Sequence, residues 1–124
     1  MEPMTKVAWG MLLLVHLSPT AVLFSPGMVQ KLYRLEPSGI TGLLLTHRGA
    51  QFLAVVVVCA FAAFDVEARR GASLVVAISV IGFLVLYARA GLPTGPLRKI
   101  AVVDFLALAP LILVLVTAWR PQLA

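Results

Sequence analysis

Charge is scarce in this sequence. Asp, Glu, Lys and Arg make up 12% of the 124 residues, whereas soluble domains carry about 25%. Hydrophobic residues reach 61%, and the mean hydropathy is +1.04. This composition argues against a water-soluble domain and predicts an all-α integral membrane bundle, because lipid supplies the apolar surroundings that such a chain needs. At this length we expect one domain, residues 1–124.

The sequence also lacks the residues that several kinds of chemistry require. Its single cysteine, Cys59, excludes a disulfide or a redox pair within one chain. Because this thiol follows four consecutive valines, we expect it to be buried. There is no G-x-S-x-G elbow, phosphate-binding glycine-rich loop or HExxH motif. Without an i, i+4 histidine pair or a cysteine cluster, we predict neither a metal nor a cofactor.

The excess of basic residues does not indicate nucleic acid as a partner. A net charge of +5 and a pI near 10.2 would suggest it in a soluble protein. Here the ten Lys and Arg occur singly or in pairs at the ends of apolar runs, where basic residues meet lipid headgroups and set topology. We therefore expect the lipid bilayer as a partner and no nucleic acid.

Four apolar runs, residues 7–24, 40–64, 71–88 and 100–119, predict four transmembrane helices. A helix needs about 20 residues to cross about 30 Å of hydrocarbon. Pro19 is expected to kink the first helix or to end it early, and Pro110 to kink the last one. A signal peptide is the competing interpretation of the first run, but no A-x-A-like cleavage site follows it, so we expect the helix to be retained.

The connections between these runs differ in length. Residues 25–39 form the longest and are marked as a loop by Pro26, Gly27, Pro37 and Gly39. Within it, residues 28–35 are predicted to form a short interfacial helix with Met28, Leu32 and Leu35 on one side. Four passes put both termini and the 65–70 loop on one side of the membrane, and the 25–39 and 89–99 loops on the other. The Lys and Arg count leaves the orientation open.

Two of the runs are too short to cross lipid without charged residues. The charge-free segment 49–64 has 16 residues and spans about 24 Å, so the second helix must extend back through His47 and Arg48. The segment 105–119 has 15 residues, so Asp104 should lie within the fourth helix as well. Both helices start from the same side, so Arg48 and Asp104 are expected to meet.

We therefore predict a polar cluster inside this side of the membrane. An isolated charge there costs about 2.5 to 3.5 kcal/mol, which favours an Arg48–Asp104 pair. This pair would either fasten helices together or belong to a functional pocket, and both interpretations stay open. The further candidate members are His16, His47, Gln51, Tyr87 and Arg89.

Other polar and aromatic residues have simpler interpretations. His16 is expected more often to be a hydrogen-bonded core histidine than a ligand, because helix interfaces use polar side chains in this way. Trp9 and Trp119 are predicted to be interfacial anchors. Small residues on the second helix, beginning with Gly49 and Ala50, should let helices approach closely within or between subunits.

The layout resembles the DoxX-like small bacterial membrane proteins and related four-helix families. The likeness consists of a first helix, a longer loop, the His47-Arg48-Gly49 start of a second helix, a short charged turn, and an acidic residue, Asp104, early in the fourth. It implies a multi-pass protein of the bacterial inner membrane, with cytoplasmic termini. Some members of that group are linked to quinone-coupled sulfur oxidation, and most have no assigned activity.

Two functions remain compatible with the sequence. The first is an accessory or binding subunit that packs against a second copy or against a membrane protein partner. In this case the Arg/Asp/His cluster holds the helices together. The alternative is a small membrane enzyme or carrier for a lipophilic molecule such as a quinone or isoprenoid, in which Arg48 and Arg89 bind a polar head and His47 or Asp104 moves protons. Whether the protein is an enzyme stays open. A small multidrug exchanger is disfavoured, because the first run carries no glutamate.

Overall fold

The computed structural model describes residues 2–25, 27–36 and 38–120. Pro26 and Pro37, which mark the predicted loop, lie outside these residues. The described part is almost entirely helical and contains no strand. Its α-helices are α1 Glu2–Phe24, α2 Gly27–Tyr33, α3 Gly39–Phe64, α4 Arg69–Arg89 and α5 Pro96–Trp119, and a short 3-10 turn, Val66–Ala68, leads into α4.

Four of these helices are long and apolar. α1, α3 and α5 have 23, 26 and 24 residues, and α4 with its 3-10 turn has 24, so each is long and apolar enough to cross a membrane. The prediction of four long apolar helices is confirmed. α1 and α5 begin earlier than predicted; α5 starts at Pro96, and proline suits the first helical position because its missing N–H has no intrahelical partner there.

Both internal prolines lie within continuous helices. α1 runs past Pro19 to Phe24, so the alternative that this proline ends the helix early is wrong. α5 likewise contains Pro110 and extends to Trp119. A proline removes one backbone hydrogen bond from a helix, and here the packing of each helix in the bundle outweighs that loss.

The short helix α2 forms close to where the sequence predicts it. It ends at Tyr33 because Arg34 adopts a left-handed conformation with φ of 56° and donates its N–H to the carbonyl oxygen of Gln30 at 2.9 Å. Its fully buried residue is Val29, which the predicted apolar side does not include. Leu35, assigned to that side, lies beyond the end of the helix and is exposed.

The four long helices form a closed bundle. α1 packs most extensively on α3, α4 on α5, and α1 closes the ring against α5, while α3 and α4 touch less. Cys59 is fully buried, as predicted. The largest buried side chains at the centre are Trp9, Leu12, Leu111, Val76, Val80 and Val114.

Trp9 does not have the interfacial position that the sequence predicts. Its indole is fully buried, and Nε1 has no hydrogen-bond partner in the described part of the chain. The reason is its helical register, because Thr5, Trp9, Leu12 and His16 are all buried on one face of α1. Trp9 is therefore a core residue and not an exposed interfacial anchor.

Gly49 brings α1 and α3 together. A Cβ atom at this position would lie 2.8 Å from the backbone nitrogen of Leu23 and 3.3 Å from the carbonyl oxygen of Pro19. Only glycine permits this approach, as small residues do at close helix crossings. The prediction of close packing by small residues is confirmed at this position.

The start of α1, the end of α5 and the 65–70 turn meet at one end of the bundle, which we call the terminal end. There the Arg69 guanidinium pairs with Glu2, and the Arg70 guanidinium lies 5.2 Å from the ring centroid of Trp119. Trp119 Nε1 donates to the hydroxyl of Ser73 at 3.0 Å. The start of α1 and the end of α5 therefore lie beside this turn, as four antiparallel helices require, and the terminal residues 1 and 121–124 lie outside the described residues.

Candidate functional site

A cavity of about 240 Å³ lies towards the opposite end of the bundle, between α1, α2, α3 and α5. Its apolar wall includes Leu14, Val15, Leu32, Phe52, Ile100 and Val103. We call it the Arg48 cavity. Its polar lining consists of His16, Ser18, Tyr33, Arg48, Lys99 and Asp104.

Arg48 projects from α3 into this cavity and lies between two aromatic rings. Its guanidinium carbon is 4.7 Å from the ring centroid of Phe52 and 5.6 Å from that of Phe83 on α4. Such stacking favours a cation, particularly where water is excluded. The Nε–H group is buried and has no hydrogen-bond partner among the described residues. Arg48 is therefore held in position by two cation–π contacts, and its buried Nε–H donates to no described residue.

Asp104 lies on α5 in the same cavity. The structure thus brings the predicted cation and anion to one site, at the end of the bundle where the sequence expects them. Their charged atoms do not come within 4 Å, and in the described part of the chain that distance is met by the Arg69–Glu2 pair alone. The predicted Arg48–Asp104 ion pair is therefore wrong as a direct contact, because Phe52 and Phe83 hold the guanidinium.

His16 is buried and hydrogen-bonded through both ring nitrogens. Nδ1 lies 2.8 Å from the carbonyl oxygen of Leu12, which can only accept, so Nδ1 carries the proton. In the neutral ring Nε2 then accepts from the Ser79 hydroxyl at 2.8 Å, which joins α1 to α4. The imidazole ring centroid is 5.4 Å from that of Phe52. His16 thus behaves as the hydrogen-bonded core histidine that the sequence favours, and it supports the ring on which Arg48 stacks.

The other candidate residues lie outside the Arg48 cavity. His47 and Gln51 are exposed on the outer surface of α3, and Arg89 is exposed at the end of α4. Tyr87 donates its hydroxyl to the carbonyl oxygen of Pro93 at 2.6 Å and stacks at 6.1 Å on Phe83. Tyr87 is therefore connected to Arg48 through an aromatic ring and not through a polar contact.

Sequence reasoning missed three polar groups of the cavity, Ser18, Tyr33 and Lys99. Lys99 lies on the first turns of α5, and Tyr33 is the last residue of α2. Lys99 precedes Asp104 by five residues. The need for about 20 residues to cross the hydrocarbon, which placed Asp104 inside the helix, also places Lys99 close to the start of that helix. Tyr33 gave no such signal, because its position depends on how α2 folds back against the bundle.

A second arrangement that the sequence did not predict lies at the terminal end. Arg69 donates from Nη1 and Nη2 to the two carboxylate oxygens of Glu2 at 2.9 and 2.6 Å. It also donates to the carbonyl oxygens of Ala62 at 2.7 Å and Ala63 at 3.2 Å. These are among the last carbonyls of α3, which have no intrahelical donor. The sequence did carry a signal for this contact, because Arg69 is a basic residue shortly after the end of α3, where the helix dipole stabilises a cation.

The chemistry of the Arg48 cavity is that of an amphipathic pocket with an excess of positive charge. Arg48 and Lys99 oppose a single carboxylate, Asp104, and the hydroxyls of Ser18 and Tyr33 add neutral hydrogen-bonding groups. Guanidinium groups favour carboxylates and phosphates through paired N–H donors. Among the described residues, no three His, Cys, Asp or Glu side chains cluster closely enough to hold a metal ion.

Comparisons of the chain with protein-family profiles, with curated proteins and with solved structures found no match. The resemblance to the DoxX-like proteins therefore stays a prediction.

Proposed function

We propose that this is an integral membrane protein that binds a lipophilic molecule with an acidic head in the Arg48 cavity. Four long apolar helices, many of whose large hydrophobic side chains face outwards, support insertion in a bilayer. A multi-pass location in a bacterial inner membrane follows from the DoxX-like resemblance alone. The binding function is consistent with the first of the two sequence-based functions, a binding or accessory protein.

The observation that carries the proposal is the Arg48 guanidinium, which lines the cavity and has no carboxylate within 4 Å among the described residues. A buried arginine N–H without a partner is costly, and an unpaired charge within a span is costlier still. Proteins pair such charges, so a guanidinium that lines a cavity without a direct carboxylate contact is suited to an anionic ligand. Lys99 also lines the cavity and adds a second positive charge.

The size of the cavity limits which part of the ligand it receives. At about 240 Å³, it is smaller than the roughly 300 to 1,000 Å³ of sites that enclose drug-sized ligands. A phosphate or carboxylate head with the first carbons of a chain fits this volume. The remaining chain would lie against lipid-facing apolar side chains of α1 and α5.

Binding is better supported than catalysis. General acid–base chemistry needs a group with a free position for the substrate proton, and both nitrogens of His16 are engaged within the bundle. His47, the other histidine proposed to move protons, lies outside the cavity. The enzyme or carrier alternative would therefore depend on Asp104, the one carboxylate among the lining residues.

Thermal unfolding of the purified protein in mild detergent tests the proposal. The probes are farnesyl phosphate and farnesol, which share one chain and differ in the charged head. We expect the phosphate to raise the Tm and the alcohol to have little effect. Decylubiquinone, a neutral quinone, tests the carrier alternative, and stabilisation by the quinone with none by the phosphate would contradict the proposal.

Two variants connect the ligand to the site. Arg48→Gln should weaken farnesyl phosphate binding about ten- to a hundred-fold, the usual range for a lost hydrogen bond to a charged group. Arg89→Gln is the matched control, because it removes an arginine that is exposed outside the cavity. Equal effects of the two variants would indicate attraction by net charge instead of a site. If Arg48→Gln lowers the Tm without altering binding, the cluster only stabilises the helix packing and the binding proposal is wrong.

A further inference from the structure

One face of α3 carries a polar side chain where the bundle offers it no partner. Gln51 is exposed, and no hydrogen bond of its carboxamide is formed with any described residue. The described bundle therefore leaves a hydrogen-bonding side chain unpaired on the outward surface of α3.

This surface has the spacing of a helix-packing seam. Leu44, His47, Gln51, Ala54, Val58 and Phe61 follow one another at alternating intervals of three and four residues, and all but the half-buried Val58 are exposed. We call this set the α3 seam. This alternation keeps the side chains on one side of α3, where a second helix packing at a shallow crossing would meet them. Ala54 is a small residue next to Gln51 along the seam, and small residues let two backbones approach.

The depth of Gln51 makes exposure to lipid unfavourable. This step rests on the proposed membrane insertion. A 20-residue span that ends at Phe64 would place Gln51 about 9 Å inside the hydrocarbon. At that depth water cannot satisfy the carboxamide, whereas a second helix can.

We propose that the α3 seam is the interface of a parallel homodimer in which Gln51 pairs with Gln51 of a second copy. Copies inserted in the same orientation are related by a two-fold axis along the membrane normal, so residues of equal depth meet. The carboxamide has self-complementary partial charges: its NH₂ group donates to the partner's oxygen while its own oxygen accepts. A second copy of this chain therefore satisfies Gln51 without any other protein.

Oxidative cross-linking in native membranes tests the interface. Ala54→Cys places a thiol on the seam, and Ile78→Cys, a position 75% exposed near the middle of α4, is the matched control. The wild-type chain supplies the baseline, since Cys59 is fully buried. We expect a disulfide-linked dimer from Ala54→Cys and little from Ile78→Cys. Equal cross-linking of the two variants, or a product of Ala54→Cys with a different protein, would overturn the proposal.

The role of Gln51 is tested in liposomes by energy transfer between donor- and acceptor-labelled copies at increasing lipid dilution. Gln51→Leu should weaken dimerisation on the order of tenfold, as expected for two hydrogen bonds between membrane helices. Gln51→Asn keeps the carboxamide and should restore part of the association. Unchanged association of Gln51→Leu would overturn the pairing.

The outcome is separable from the proposed ligand function. Thermal unfolding checks that Gln51→Leu is folded, and farnesyl phosphate binding reports on the Arg48 cavity, which lies on the inward side of α3. If the protein is monomeric and the Ala54→Cys thiol does not react with a membrane-impermeant maleimide, the dimer proposal is wrong and membrane insertion still holds. Ready labelling of that thiol in the monomer would instead contradict insertion, and with it both proposals.

Discussion

Arg48 and Arg69 have similar side chains but different environments. The Arg69 guanidinium uses its donors on Glu2 and on two carbonyl oxygens at the end of α3. The Arg48 guanidinium lies against two aromatic rings and leaves Nε without a partner. The difference assigns a structural role to Arg69, whereas Arg48 has no carboxylate within 4 Å among the described residues.

Replacing Arg69 should therefore destabilise the bundle. The side chain is 7% exposed, and Arg69→Ala leaves the carbonyl oxygens of Ala62 and Ala63 unsatisfied. Unsatisfied buried groups cost about 1 to 3 kcal/mol each, so we expect a loss of about 2 to 4 kcal/mol, measured by equilibrium unfolding in mixed detergent micelles. Glu2→Gln should cost less, because the Glu2 side chain is 52% exposed and the carbonyl contacts survive. A larger loss in Glu2→Gln than in Arg69→Ala would contradict this assignment.

At the residue scale, the sequence predicted position along the bundle better than contact. The length of the apolar runs drew Arg48 and Asp104 into helices at one end of the bundle, and the structure has both there. The prediction of a direct Arg48–Asp104 pair was wrong. Phe83, which contacts Arg48, belongs to a different helix, and residue spacing along α3 cannot show which aromatic rings of other helices will face Arg48. The prediction for Trp9 was wrong for a related reason, because a tryptophan near the start of a helix looks the same in the sequence whether it faces lipid or the core.

At the element scale, α1 and α3 pack by close backbone approach, which a single methyl group should prevent. Gly49→Ala would place its Cβ 2.8 Å from the nitrogen of Leu23, and backbone atoms cannot move aside without separating the helices. Overpacking of this kind costs about 1 to 3 kcal/mol, measured as a lower unfolding midpoint in detergent.

Gly82→Ala is the matched control for this element. It also lies inside a long helix, α4, but a Cβ there meets no atom within 4 Å. Alanine has the higher helix propensity, so this variant should be neutral or stabilised by up to about 1 kcal/mol. If both substitutions had the same effect, helix propensity and not the α1–α3 contact would control stability.

Helix existence was predictable because apolar length is a property of the chain itself. Helix bounds were less predictable. α5 begins at Pro96 and α3 at Gly39, directly after residues with a non-helical backbone and without a side-chain cap at either start. The buried side of α2 depends on tertiary contacts with the bundle, so Val29 could not be selected over Met28 from a seven-residue helix.

At the scale of the whole molecule, the arrangement of the helices predicts which loops share a side of the membrane. Ser38 and Thr94 lie in the connections near the Arg48 cavity, and Glu67 lies in the turn at the terminal end; all three are exposed. If the four long helices span the bilayer, Ser38→Cys and Thr94→Cys should react with a membrane-impermeant maleimide from one face of sealed vesicles. Glu67→Cys should react only from the other face.

The wild-type chain is the control for this labelling, because Cys59 is fully buried and should remain unreacted until detergent and denaturant are added. Detergent alone should make all three introduced thiols reactive, which separates protection by the membrane from protection by the fold. Reaction of Ser38→Cys and Thr94→Cys from opposite faces would mean that α3 and α4 do not both cross. In that case, Arg48 and Asp104 would not enter the lipid from a common side, and their shared cavity would no longer lie at one depth.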